Sequence, residues 1–222
     1  MRKTLSNLLA PHYCCSCGEI GAILCSYCKY SIVSEPHDNC LVCGHPVGPK
    51  IQLCDVCCPP YVRAWCVGRR DDGLRAVIDA LKFERTRAAY LPLAELLDEV
   101  LPVIPSDVTV VPVPTLTYHK RVRGYGHIEL VAKAFAKKRG LPYAEVLIRR
   151  SRHVQRGAAR ARRIAQAKET YMSTALQKGQ TYLLVDDVYT TGATLEYASR
   201  ALIAGGAGQV WVAALSRQPL EK

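Results

Sequence analysis

The residues best suited to chemistry form one short stretch, 186–194, which reads DDVYTTGAT. It follows an apolar, β-rich run at 181–185 and precedes leucine and alanine residues at helical spacing. This pattern predicts a buried strand that turns directly into a helix. The free backbone N–H groups of a helix start, its positive dipole end and threonine hydroxyls can together bind a phosphate. We therefore predict an anion-binding turn formed by Thr190, Thr191, Gly192, Ala193 and Thr194.

Two carboxylates, Asp186 and Asp187, precede this turn. At the end of a strand they can accept hydrogen bonds from sugar hydroxyls or help to hold a Mg²⁺ ion. A phosphorylated sugar would use both features at once. The alternative is an ordinary helix with Thr190 or Thr191 as its N-cap and the acidic pair solvated in a tight turn.

Cysteine spacing identifies a second chemical centre. The chain has 11 cysteines, and its first quarter contains four Cys-x-x-Cys pairs. Two such pairs, each on a tight turn, supply the four sulfurs of a tetrahedral zinc site. Four pairs predict two structural zinc ions, and their ligands are Cys14, Cys17, Cys25, Cys28, Cys40, Cys43, Cys54 and Cys57.

The cysteine spacing does not determine how these ligands divide between the two ions. Sequential pairing is preferred because the intervening loops are short, while interleaved pairing, or a ligand role for Cys15 or Cys58, is an alternative. His12, His37 and His45 are further candidate ligands. Because four-sulfur sites leave no open coordination position, this region is predicted to be a folding unit or docking surface, not a catalytic centre.

Length and composition indicate a globular protein with room for a core and a small extra module. The chain has 222 residues, of which 49% are hydrophobic, and this excludes extended disorder. No apolar run approaches the roughly 20 residues that cross a bilayer, and the first ten residues make a poor signal peptide. We expect a cytoplasmic protein with no membrane insertion.

The formal net charge of +11 is concentrated in one segment. Between His119 and Arg163 there are fourteen lysines or arginines against two acids. Such a segment suits a polyanion, either pyrophosphate at short range or nucleic acid over a wider surface. The alternative is a solvated basic surface that maintains solubility.

The elements that must position these residues follow from periodicity. A prolyl pair at 59–60 predicts a boundary between a zinc ribbon domain at 1–60 and a second domain at 61–222. In the second domain, predicted strands alternate with predicted helices, which indicates an α/β fold with a doubly wound parallel sheet. The strands are predicted at 61–69, 108–114, 147–148, 182–185 and 209–214, and the helices at 72–83, 91–100, 128–139, 160–166 and after 194.

The chain resembles the ComF family of phosphoribosyltransferase-like proteins associated with bacterial competence. The resemblance rests on the cysteine-rich region and on five further motifs. These motifs are LKF at 81–83, VPVP at 111–114, KRVRGYG at 120–126, HVQ at 153–155 and LLVDDVYTTGAT at 183–194. Two adjacent positions depart from the family, which has Asn-Gln where this chain has Gly126-His127.

This resemblance implies a type I phosphoribosyltransferase domain that binds 5-phosphoribosyl-1-pyrophosphate (PRPP) with Mg²⁺. Asp186 and Asp187 would face the ribose hydroxyls, and residues 190–194 would hold the 5-phosphate. Val113, Pro114 and Thr115 would lie near the pyrophosphate. The chemistry of pyrophosphate loss adds Arg121 and Arg123, because cations stabilise charge that develops on a leaving group.

Three functions remain in competition. The first is a Mg²⁺-dependent enzyme that transfers a phosphoribosyl group and releases pyrophosphate, in the context of DNA uptake. The second is a non-catalytic PRPP sensor. The third is an adaptor that binds single-stranded DNA or another nucleic acid through the basic segment and a partner such as a competence helicase through the ribbon.

Overall fold

The structure, a computed structural model, describes residues 12–48, 52–149 and 171–218. Its strands are β1 (Arg63–Arg69), β2 (Thr109–Pro112), β3 (Leu147–Arg149), β4 (Tyr171–Ser173), β5 (Thr181–Tyr189) and β6 (Gln209–Arg217). Its helices are α1 (Ser26–Ser34), α2 (Asp72–Lys82), α3 (Tyr90–Val100), α4 (Thr117–Arg123), α5 (His127–Arg139) and α6 (Ala193–Ala204), with a 3₁₀ turn at Arg87–Ala89.

Four strands form a parallel sheet in the order β1-β6-β5-β2. The last strand of the chain, β6, therefore lies inside the sheet, between β1 and β5. Apart from its ends, each of β1, β5 and β6 is an almost continuous run of buried residues. Such runs are typical of parallel strands that are covered on both faces. The predicted parallel α/β sheet is confirmed.

Two hydrophobic clusters lie on opposite faces of this sheet. One contains side chains of α2, α3 and α5 together with Leu183 and Val185 of β5. The other contains side chains of α6 and of the antiparallel strand pair β3-β4 together with Tyr182 and Leu184. Because successive side chains of a strand point to opposite faces, this alternation is the expected one. The sheet is doubly wound, as predicted.

Helices α2 and α5 bring side chains to the carboxyl ends of the strands. Helix α2 begins after Asp71, whose side chain accepts a hydrogen bond from the Leu74 N–H at 3.2 Å, and it ends at Lys82. Helix α5 begins at His127 and ends before Gly140, which has a left-handed φ of 65°. Lys82 at the end of α2 and His127 at the start of α5 both contact Asp187, near the carboxyl end of β5.

The cysteine-rich region covers the β1 edge of the sheet. The Gln52 N–H donates to the Ala64 carbonyl of β1 at 3.2 Å, and the Leu41 N–H donates to the Gln52 carbonyl at 2.8 Å. The same region also contacts a helix that covers the sheet, because Lys29 of α1 pairs with Glu95 of α3 at 3.0 Å. These contacts protect a strand edge that would otherwise expose unpaired backbone groups.

Some predictions fall outside the described residues. These are the helix at 160–166, the HVQ motif and the arginines at 160, 162 and 163. The domain boundary at residue 60 stays a prediction. Within the ranges that the structure describes, no helix combines the length and the apolar character needed to span a bilayer.

Candidate functional site

A cavity opens where β2 leaves the sheet and β5 continues. The last β2 pairing is Pro112 with Val185, and the Val113 N–H still donates to the Val185 carbonyl at 2.9 Å. Strand β5 continues beside β6 to Tyr189. The predicted strand ended at 185, so the acidic pair lies within the strand and not after it. The β5 edge beyond Val185 is therefore free to face a ligand.

This cavity has a volume of about 370 Å³. Its walls come from the ends of α2 and β2, from α4, from the start of α5, from β3, from β5 and from the first turn of α6. The lining residues are Lys82, Phe83, Val113, Pro114, Thr115, Leu116, His119, Arg123, His127, Ile128, Arg149, Asp186, Asp187, Val188 and Thr194.

Inside the cavity, Asp187 accepts hydrogen bonds from two side chains, those of Lys82 and His127. Lys82 Nζ lies 2.7 Å from its Oδ2, and His127 Nε2 contacts the same oxygen. Burial opposes ionisation of Asp187, but the hydrogen bonds from His127 and Lys82 outweigh it and hold its pKa below the usual range. Asp187 is therefore a carboxylate at neutral pH.

Asp186 has the opposite character. Its side chain is only 8% exposed, and its Oδ1 accepts the Asp187 N–H at 2.9 Å. Burial and the neighbouring Asp187 charge raise its pKa to about 8. The pair thus combines one anion with one carboxyl group that is mostly protonated at neutral pH and that nearby positive charge would help to ionise.

The hydrogen bonds of His127 define its tautomer. Arg123 Nη1 lies 3.1 Å from His127 Nδ1, and a guanidinium can only donate. Nδ1 also lies 3.2 Å from the Thr115 hydroxyl, which donates its proton to Glu129. With Nδ1 accepting from Arg123, we assign the proton of the neutral ring to Nε2, which donates it to Asp187. His127 occupies one of the two positions at which this chain departs from the ComF pattern, and it connects Arg123 to the acidic pair.

Glu129 fixes the loop after β2. It is 8% exposed, and its two oxygens accept from the Thr115 N–H at 3.0 Å and the Thr115 hydroxyl at 2.8 Å. Lys120 pairs with it at 2.7 Å. Burial opposes its charge, yet these donors lower its pKa. A Cβ at Gly126 would overlap the Glu129 carboxylate, so a larger residue there would displace this carboxylate from its contacts with Thr115.

The turn between β5 and α6 is built around Gly192 and Tyr189. Gly192 has φ 80° and precedes the first residue of α6. The Tyr189 hydroxyl occupies the space that a Gly192 Cβ would need. Tyr189 is 4% exposed and belongs to the core. The start of α6 therefore rests on a buried ring.

The Gly192→Ala variant should lose stability by about 2 kcal/mol or more, since alanine at positive φ and overpacking against Tyr189 both cost free energy. Urea unfolding monitored by circular dichroism would measure it. Gly124→Ala is the control, because Gly124 has a similar φ of 82° with open space around it. Equal losses in the two variants would contradict the role of Tyr189.

The structure brings together part of the predicted site. Val113, Pro114, Thr115, Arg123, Asp186, Asp187 and Thr194 all line the cavity. Thr190, Thr191 and Ala193 are exposed and Gly192 is buried, and none of these four is among the lining residues. Arg121 is exposed on α4 and also lies outside the lining.

Sequence reasoning assigned no role in the site to Lys82, Phe83, His119, His127 or Arg149. Two of these had a usable signal. Lys82 and Phe83 belong to the LKF motif, and His127 is one of the two departures from the ComF pattern. His119 had no such signal, and Arg149 was included only as one of the fourteen basic residues between 119 and 163. The packing of α4 and β3 against the sheet brings these two residues to the cavity.

The cysteines form two groups of four. Cys14, Cys17, Cys25 and Cys28 have sulfurs within 4.8 Å of one another, and so have Cys40, Cys43, Cys54 and Cys57. We call these groups the first and the second tetrad; they correspond to the sequential pairing. The Cys17–Cys25 and Cys43–Cys54 sulfurs are 3.7 and 3.6 Å apart. A zinc–sulfur distance of about 2.3 Å requires about 3.8 Å between tetrahedral ligands, so each tetrad could hold Zn²⁺.

The thiol pKa values also fit metal binding. Burial opposes ionisation of Cys14 and Cys40, but backbone N–H donors outweigh it and lower each pKa to about 6. In the second tetrad, hydrogen bonding with Cys54 and burial raise the pKa of Cys57 to about 12. One thiolate therefore forms readily in each tetrad, while a bound cation would be needed to ionise all four sulfurs.

Only part of the basic segment can be placed. Arg139 pairs with Asp98 at 2.7 Å, and Lys133 and Lys137 are exposed on α5. Residues 150–163 lie outside the described ranges. A nucleic-acid surface along this segment stays a prediction.

Comparisons with known proteins identify one matching family and several similar sequences. Residues 123–221 match the family described as phosphoribosyl transferase domain. The chain is 28% identical over 209 residues to Competence protein F of Haemophilus influenzae, which covers 87% of this chain and 90% of that protein. It is also 28% identical over 205 residues to DNA utilization protein YhgH of Salmonella typhi, with the same coverage of both proteins.

Two solved structures are similar at 20% identity. One is an allosteric regulatory enzyme of purine biosynthesis, with a TM-score of 0.40 over 64% of this chain. The other is the glutamine PRPP amidotransferase of B. subtilis, with a TM-score of 0.38 over the same share. This chain covers 26% and 27% of those proteins, respectively.

Proposed function

The chain is a ComF-like protein with a phosphoribosyl transferase domain, and from this premise we propose that it binds PRPP with Mg²⁺ and transfers the phosphoribosyl group to an acceptor. We place this activity in the handling of DNA taken up by the cell, because the relatives are named for competence and DNA utilization. The single observation that carries the proposal is that an acidic pair and a helix start share one cavity.

In the proposed complex, the 5-phosphate lies at the start of α6. This helix has 12 residues, so its dipole and free N–H groups attract an anion. The Thr194 side chain, which lines the cavity, would donate a hydrogen bond to the phosphate. Asp186 and Asp187, on the adjoining strand, would accept hydrogen bonds from the ribose hydroxyls.

The pyrophosphate would lie toward the basic end of the cavity. Arg123, His119 and the loop at 113–116 all line the cavity, and we take this group as the basic end. Transfer breaks the bond between the anomeric carbon and the pyrophosphate oxygen, and the electron pair leaves with the pyrophosphate. A nucleophilic atom of the acceptor then bonds to that carbon. Arg123, whose position is fixed by His127 at 3.1 Å, would stabilise the charge on the leaving group.

The donor set suits Mg²⁺. This ion prefers carboxylate, phosphate and water oxygens, and Asp186 is a buried carboxyl group whose high pKa reflects burial beside Asp187. When bound, the ion would neutralise oxygens of the pyrophosphate and of this carboxylate. Asp187 already has Lys82 as a cationic partner at 2.7 Å, so Asp186 is the better candidate to contact the ion.

Calorimetric titration of PRPP with Mg²⁺ tests this proposal. We expect Asp187→Asn to bind at least about tenfold more weakly than wild type, since one charged hydrogen-bond acceptor is lost. Asp107→Asn is the matched control, because Asp107 is an exposed acid remote from the cavity. Equal affinity in all three proteins would remove the acidic pair from the binding site.

Pyrophosphate release separates an enzyme from a sensor. Wild type would be incubated with PRPP, Mg²⁺ and a panel of nucleobases and short oligonucleotides. Release that depends on one acceptor and is lost in Asp187→Asn would support transfer. Tight PRPP binding without release for every acceptor would support the sensor instead.

A further inference from the structure

Arg217, the last residue of β6, is a buried cation with an unusual environment. It is 6% exposed, and no carboxylate of the described residues lies within ion-pair distance of it. Its Nε donates to the Leu41 carbonyl at 2.9 Å, and an Nη donates to the Val42 carbonyl at 3.5 Å. A buried guanidinium is costly unless negative charge compensates it.

The second tetrad can supply this negative charge. Leu41 and Val42 lie between Cys40 and Cys43, which are two of its ligands. Four thiolates around one Zn²⁺ carry a net charge of −2. The carbonyls that accept from Arg217 thus belong to the turn between two of the ligands, so a loaded tetrad would position the guanidinium and bring negative charge to the same turn.

Arg217 also contacts the turn at the start of α6. It pairs with Tyr189 in the β5-β6 ladder, and its guanidinium carbon lies 5.9 Å from the centre of the Tyr189 ring. The neighbouring Gln218 N–H donates to the Tyr189 carbonyl at 2.9 Å. The Tyr189 hydroxyl in turn lies 3.4 Å from that of Tyr61 and fills the space beside Gly192.

The first tetrad lies on the other face of the sheet. Its neighbours Ile23, Leu24 and Ile32 pack into the cluster of α2, α3 and α5, and Lys29 connects it to Glu95 of α3. Among the residues that the structure describes, no hydrogen bond, ion pair or ring contact joins this tetrad to Tyr189 or Gly192. The two tetrads are therefore not equivalent with respect to the cavity.

We propose that the second tetrad, through Arg217, holds Tyr189 and the Gly192 turn so that the start of α6, with Thr194, is positioned to bind phosphate. Zinc at this tetrad would then control the affinity for the phosphorylated ligand, whereas the first tetrad would mainly stabilise the fold. Arg217 is a positioning residue in this scheme. The proposal rests on the proposed function for the identity of the ligand, but not for the contact between the tetrad and the turn.

Two cysteine variants compare the tetrads directly. Cys17→Ser and Cys43→Ser change equivalent, exposed ligands, each followed by a glycine with φ 78°. Elemental analysis should show about one zinc per chain in both instead of two. PRPP with Mg²⁺ should bind to Cys43→Ser at least fivefold more weakly than to Cys17→Ser. Equal affinities would overturn the proposal.

A second pair tests Arg217 itself. Arg217→Gln should weaken PRPP binding at least tenfold while zinc content stays at two. Arg139→Gln is the control, because Arg139 also donates to backbone carbonyls and lies over an aromatic ring, that of Phe135 at 5.3 Å, away from the cavity. We expect its PRPP affinity to stay within twofold of wild type. An unaltered affinity in Arg217→Gln would overturn the proposal.

Amide hydrogen exchange without ligand distinguishes failure of this proposal from failure of the proposed function. Residues 189–194 should exchange faster in Cys43→Ser and Arg217→Gln than in Cys17→Ser and Arg139→Gln. If exchange changes in this way but wild type binds no PRPP, only the proposed ligand is wrong. If wild type binds PRPP but exchange at 189–194 is the same in all variants, only the coupling is wrong.

Discussion

Removal of zinc by a strong chelator is expected to unfold the cysteine-rich region while the centre of the parallel sheet remains folded. Structural zinc contributes about 10–16 kcal/mol to the folding of zinc-finger peptides. The apolar residues that this region buries are few, with Ile23, Leu24, Ile32 and Leu41 as the main ones. Without metal, they cannot offset the conformational entropy of ordering the loops.

Loss of this region should also change the sheet edge. The hydrogen bond from Gln52 to Ala64 covers β1, and an uncovered edge strand promotes association between molecules. We therefore expect faster amide exchange in residues 12–48 and 52–58, followed by aggregation, while β5 and β6 stay protected. Exchange measured by mass spectrometry, together with zinc release, would test this.

The control for this experiment is the same chelator saturated with zinc beforehand, which should have no effect. Release of both ions with unchanged exchange in the cysteine-rich region would contradict a structural role for zinc. Release of a single ion at full unfolding would contradict two sites per chain.

The sequence was most informative where the signal is local. The four Cys-x-x-Cys pairs predicted two tetrads because each pair places two sulfurs on one turn. Helix α2 was predicted within one residue, since Leu74, Val77, Ile78 and Leu81 mark its buried face. The acidic pair was recognised because it follows an apolar run in the sequence, although the strand continues through it to Tyr189.

Features that depend on distant packing were not predicted. Helix α4 buries none of its residues, so it has no apolar periodicity to detect. Strand β4 is only three residues long. The position of β6 between β1 and β5 is a property of the whole sheet, as is the meeting of Lys82 and His127 at Asp187. In each case, the deciding contacts join residues far apart in the chain.

The acidic pair gives the second large expected effect, an increase in stability of the ligand-free protein on Asp186→Asn. The pKa of Asp186 is about 8 in the fold, against about 3.9 when unfolded. Between pH 4 and 8 the folded state therefore holds a proton that the unfolded state has released. Linkage then requires stability from this group to fall as pH rises through that interval.

Asparagine removes this dependence and keeps an oxygen that can accept the Asp187 N–H. In Mg²⁺-free buffer we expect Asp186→Asn to exceed wild type by about 2–4 kcal/mol at pH 8, with little difference near pH 4. Urea unfolding across this pH range would measure the change. A constant difference at every pH would contradict the raised pKa.

The neighbouring variant Asp187→Asn should have the opposite sign. The pKa of Asp187 is held low, so this group stays ionised over the same interval and its partner Lys82 would lose its charge compensation. Asp187→Asn should thus be less stable than wild type at pH 7. Opposite effects of the two aspartates on stability are expected because Asp187 is paired with a cation in the ligand-free protein and Asp186 is not.

Addition of PRPP with Mg²⁺ should stabilise wild type more than Asp186→Asn. The Asp186 carboxylate, which destabilises the ligand-free protein, is the group that the ligand and its ion require.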